Sequence, residues 1–109
     1  MAPEPARGGS RGPLLVVTAD DFGLTDGVCR GIVAAHRSGV VTATSVLAVG
    51  RSFEYGAALL RDEPSLAIGA HLALVGEDPP LLSAREIPTL VDERGRFPLT
   101  YRSVVGRAA

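Results

Sequence analysis

Apolar residues along this chain come in short runs separated by amphipathic stretches, and the two patterns alternate. In "PLLVVTA" (Pro13 to Ala19) hydrophobicity is continuous rather than alternating, which predicts a strand buried on both faces of a parallel sheet. "TDGVCRGIVAAHRSG" reads as a helix: Val28, Ile32 and Ala35 fall near one face, Thr25 or Asp26 can cap its start, and Gly39 supplies the stop. "VVTATSVLAVG" predicts a second strand, with Val40 to Val49 at its heart. "SFEYGAALLRDEP" predicts a second helix ended by Pro64, and "SLAIGAHLAL" a third strand running towards His71. The order β-α-β-α-β with short connections argues for an α/β fold with parallel strands.

From Val75 to about Tyr101 the texture changes to prolines and charges, with a short apolar segment at Ile87 to Val91 and a turn at "DERGR". This predicts a long ordered loop, a type of segment that often forms a lid or binding wall. The closing "VVGRAA" begins like a further helix. Residues 1–13, rich in Pro, Gly, Ala and Arg, read as a flexible tail, leaving 14–109 as one domain. Three strands make an incomplete sheet, whereas a closed (β/α) barrel takes about 250 residues. The expectation is a partial (β/α) domain whose exposed strand edges offer a route to self-association.

Composition narrows the function classes. Eleven basic and twelve acidic residues give a formal net charge of -1, without the clustered basic face that nucleic acid requires. The tail lacks the hydrophobic region of a secretory leader, and no run approaches the roughly 18 apolar residues of a membrane span. A single cysteine, Cys29, excludes an internal disulfide, and the expected compartment is the cytoplasm.

The chemistry lies in "LLVVTADDFGLTDG", where an apolar run ends in two adjacent carboxylates, Asp20 and Asp21. In parallel α/β folds active sites gather at the carboxyl ends of strands. Asp20 and Asp21 follow strand one and His71 ends strand three, so all three belong to one edge of the sheet. Carboxylate and imidazole are suitable ligands for zinc or another divalent cation, and a cation would offset the repulsion between the acids. A bland alternative stands beside this: an acid pair after a strand also serves as a helix-capping turn, and a lone histidine there is often structural. His36, within a helix, reads as structural, and Cys29 as a small core residue. "DFG" also occurs in protein kinases, but the glycine-rich loop, strand lysine and catalytic loop of a kinase are all missing. The chain has no lysine at all, so a GxxxxGK phosphate loop is excluded as well.

"TADDFGLTDGVCRGIVAAHRSGVVTATSVL" followed by "IGAHLAL" resembles the YdjC-like carbohydrate deacetylases, over Leu14 to about Phe97. "GAHLALVGEDPPLL" and "IPTLVDERGRF" look most like the subgroup associated with hopanoid biosynthesis. The resemblance implies a TIM-barrel-like (β/α) hydrolase, dependent on a divalent metal ion (zinc or magnesium), that removes acetyl groups from N-acetylated sugars or glycolipids. It implies Asp20 as catalytic base, with Asp21 and His71 as metal ligands. Cys29 stands where the family commonly has asparagine, and "HLAL" where it often has HLNL. The family's second metal-binding histidine belongs to a downstream motif that this chain does not contain. The alternative expectation is therefore a non-catalytic remnant or binding fragment of such an enzyme.

Overall fold

The computed structural model describes residues 12–108, so the expected tail lies outside the described residues except for Gly12 and Pro13. Along the chain run β1 (Thr18–Phe22), α1 (Asp26–Ser38), β2 (Ala43–Val46), α2 (Phe53–Leu60), β3 (Ala67–Ala70) and α3 (Tyr101–Ala108). The three strands form one parallel sheet in the order β1-β2-β3. Among the described residues no helix is long and apolar enough to cross a membrane.

Helix α1 starts where its sequence asks it to. The Thr25 hydroxyl accepts the Val28 N–H at 3.2 Å, satisfying one of the donors left free in a first helical turn. Its Cys29, Ile32 and Val33 are buried and join Phe22 of β1 in the core, with Val46 of β2 and Leu59 and Leu60 of α2 packed around them. Both helices thus share one apolar cluster on the sheet. The fit is tight at Gly56 of α2, where an added Cβ would lie 2.6 Å from the Phe22 ring and 3.0 Å from the Cys29 sulfur. Cys29 is the small core residue its sequence context predicts, and its sulfur accepts the Gly23 N–H at 3.2 Å.

The first strand departs from expectation. It begins at Thr18 rather than Pro13 and contains both acids. Leu14 and Leu15 are 85% and 81% exposed rather than buried on two faces. A continuous apolar run needs cover on both sides, and the cluster shared by α1 and α2 supplies it on only one. The other strands are also shorter than their apolar runs, β2 stopping at Val46 and β3 at Ala70.

Polar ties close the outer side. The His36 Nδ1 donates to the Val41 carbonyl at 2.8 Å, leaving Nε2 to pair with the Ser65 hydroxyl at 2.9 Å. The expected structural role is the observed one: this ring joins the end of α1 to the turn before β3. Beside it, Arg37 Nε donates to the buried Glu63 carboxylate at 2.6 Å.

Between β3 and α3 the chain is ordered by turns. Arg51 Nε donates to Asp78 Oδ1 at 2.9 Å, and the Gly76 N–H donates to the Pro98 carbonyl at 3.2 Å. Val91 and Phe97 are buried, and Asp92 Oδ1 accepts the N–H groups of Arg96 and Arg94, both at 2.9 Å. The Arg96 bond above all holds the Asp92 carboxyl below its ordinary range.

Candidate active site at the carboxyl end of the sheet

Two adjacent residues on a regular strand point to opposite faces. Asp20 and Asp21 escape that rule because the pairing of β1 with β2 slips: the three steps from Ala19 to Phe22 face only the two from Thr44 to Val46. One extra residue is accommodated there, and Asp21 takes a positive φ of 64°, a conformation aspartate tolerates better than most residues. The acid pair therefore sits inside an irregular strand end, and Thr25 caps the following helix. The capping-turn alternative does not describe these two carboxylates.

The slip brings both acids to one cluster. Asp20 Oδ1 accepts the Ser45 hydroxyl at 2.7 Å. Asp21 Oδ1 lies 3.2 Å from His71 Nδ1, and the Ser45 oxygen lies 3.3 Å from the same ring nitrogen. The Asp21 N–H also points to that nitrogen at 3.4 Å. His71 directly follows β3, and its own N–H is fixed by the Val46 carbonyl at 2.9 Å. Asp20, Asp21 and His71 are thus brought together across the end of β2. Strands one and three are not neighbours, since β2 separates them, and Ser45 of β2 fills the gap.

Ser45 is the member that sequence reasoning missed. A serine in a strand-forming run carries no chemical signature of its own. The signal available was positional: the central strand of three must contribute to a site shared by the outer two.

Asp21 and His71 side chains are 51% and 30% exposed, so the pair is open to solvent and to a ligand. Zinc donors at 2.0–2.2 Å in tetrahedral geometry stand about 3.3 Å apart, and the carboxylate oxygen and ring nitrogen match one such edge. Among the described residues no group of three or more His, Cys, Asp and Glu side chains is placed to hold a metal. The donor set fits two positions of a divalent-ion site and no more.

The model of the family described as "YdjC-like protein" matches residues 14–109. The chain belongs to the YdjC-like family. It is similar to a carbohydrate deacetylase of Brevibacillus brevis, 42% identical over 83 residues, which are 76% of this chain and 32% of the relative. It is also similar to a carbohydrate deacetylase of Geobacillus stearothermophilus, 38% identical over 91 residues, 84% of this chain and 36% of that protein. The chain therefore spans about a third of the length of these curated relatives. Its fold matches a crystal structure of an Enterococcus faecalis V583 protein proposed to act in cellobiose-phosphate cleavage. The TM-score is 0.73 at 36% identity, over 84% of this chain and 39% of the other.

A separate cleft of about 640 Å³, which shares no residue with the acid–histidine cluster, opens between two other segments. Arg51 of the β2–α2 turn forms one wall, and Asp78, Arg94, Arg96 and Phe97 of the long loop form the other. Both segments leave the carboxyl end of the sheet, the end that bears Asp20, Asp21, Ser45 and His71.

Proposed function

We propose that this chain carries part of the active site of a metal-dependent hydrolase that removes the acetyl group from an N-acetylated amino sugar. The observation that carries the reading is the 3.2 Å approach of Asp21 Oδ1 to His71 Nδ1 at the carboxyl end of a parallel sheet, in a YdjC-like chain. Asp21 and His71 would hold a divalent ion, zinc or magnesium, and further ligands would come from outside the described residues. Such an ion, when bound, supplies Lewis-acid polarisation of an acyl oxygen. Asp20 is then the general base: it takes a proton from the attacking water and returns it to the departing nitrogen, so that acetate and a free amine result. The three strands belong, on this reading, to a larger TIM-barrel-like (β/α) fold. The cleft between the β2–α2 turn and the long loop has the size of a small-ligand site and suits the sugar. The subgroup likeness of "GAHLALVGEDPPLL" extends the proposal to an amino sugar linked to a hopanoid lipid.

One rival is favoured by a specific observation. All four residues of β3 are exposed, as in a non-catalytic fragment that pairs with another chain through this edge. Zinc and magnesium titration of the chain, with acetate release from N-acetylglucosamine oligomers, separates the two. The enzyme reading expects His71→Ala and Asp21→Ala to weaken ion binding more than tenfold, about 1.4 kcal/mol. Where the further ligands are supplied, it also expects Asp20→Asn to abolish acetate release. Ion binding unchanged in His71→Ala, together with concentration-dependent self-association, would favour the fragment.

A further inference from the structure

Two carboxylates that are neighbours in sequence need something to give them different work, and the structure points to Ser45. A serine hydroxyl has one proton to donate. At 2.7 Å from Asp20 Oδ1, within the short range of O–H···O⁻ bonds, that proton belongs to Asp20. Toward His71 Nδ1, 3.3 Å away, the same oxygen then presents only lone pairs. Asp21 has no such hydroxyl partner among the described residues; its carboxylate faces the imidazole instead. We infer that Ser45 is the positioning residue that holds Asp20 in one rotamer, bound to its hydroxyl, and so leaves the imidazole to Asp21.

Several features make this a built arrangement rather than a chance surface contact. Ser45 sits on the central strand, paired with Gly69 of β3 on one side and flanked by Thr44 and Val46, which pair with Ala19 and Phe22 of β1 on the other. Its neighbour Thr44 is buried and donates to the Ala19 carbonyl at 2.8 Å, which anchors β2 to the residue just before the acid pair. The hydroxyl is therefore delivered by the most constrained strand of the sheet to the least regular point of β1. The inference deepens the deacetylase reading, on which the meaning of Asp20 rests, but the geometry itself requires neither metal nor substrate.

The test is an NMR measurement of the Asp20 and Asp21 χ1 angles by three-bond couplings in the 109-residue chain, without metal. A single Asp20 rotamer is expected in the unsubstituted chain. It should become averaged in Ser45→Ala and return to one rotamer in Ser45→Thr, with the Asp21 couplings unchanged throughout. The Cys29 and Thr44 amide shifts report whether each variant retains the core. Averaging of Asp20 already in the unsubstituted chain, or a fixed Asp20 in a folded Ser45→Ala, overturns the inference. So does failure of Ser45→Thr to restore the rotamer with the core intact. Loss of acetate release in Asp20→Asn tests the deacetylase reading separately, so the failure of one is distinguishable from the failure of the other.

Discussion

Phe22 and Ile68 lie on the two outer strands of one small parallel sheet, and their surroundings differ sharply. Phe22 is fully buried, pressed between Cys29 of α1 and Gly56 of α2. Ile68 is 57% exposed on a strand whose four residues are all exposed. Both are large apolar residues at strand positions, so hydrophobicity does not distinguish them. Cover does: α1 and α2 close over the β1 side of the sheet, while α3 follows only after a long loop and, among the described residues, forms no comparable cluster with β3. Burial stabilises only where a second layer exists to complete it.

The comparison is broken most severely by Phe22→Ala. Removing a fully buried ring should cost about 3–5 kcal/mol, read as a lowered urea midpoint. Gly56→Ala attacks the same contact from the helix side. The added methyl would come within 2.6 Å of a fully buried ring, so something must shift, and overpacking costs about 1–3 kcal/mol. That range meets or exceeds the roughly 1 kcal/mol by which alanine favours a helix, so the variant should be no more stable than the parent. Ile68→Ser should change stability least, by less than about 0.5 kcal/mol, as expected for an exposed site. A cost above 2 kcal/mol for Ile68→Ser in the isolated chain would show that β3 is covered in solution by another surface.

The same contrast explains what could be read beforehand. Helix α1 was legible almost to the residue, because Thr25, the apolar face and Gly39 are local signals acting within one element. The alternation of strands and helices was legible for similar reasons. Strand β1 was misplaced by five residues at its start because the apolar run Leu14–Val17 is a stronger local signal than Asp20 and Asp21. What sets the strand is pairing with β2 and insertion of Phe22 into the core, and neither is local. That Asp20, Asp21 and His71 would meet at one end of the sheet was legible, since acids and imidazole are conspicuous after apolar runs. Ser45 was not, because its importance lies wholly in what β1 and β3 bring to it. Nor does sequence alone reveal that the acid pair sits in a slipped register, which depends on counting residues against a partner strand.

The extra residue between Ala19 and Phe22 also makes the length of this segment matter independently of its composition. Replacing either aspartate by asparagine would keep the count, and Phe22 would still arrive at Cys29. Deleting one would leave Ala19, a single acid and Phe22 against Thr44, Ser45 and Val46, so both flanking pairs would survive in regular register. Phe22 would keep its seat, and what would go is the room for a second carboxylate. Over this stretch of β1 packing fixes the two ends of the segment, and the added length between them decides how many acids the strand end can hold.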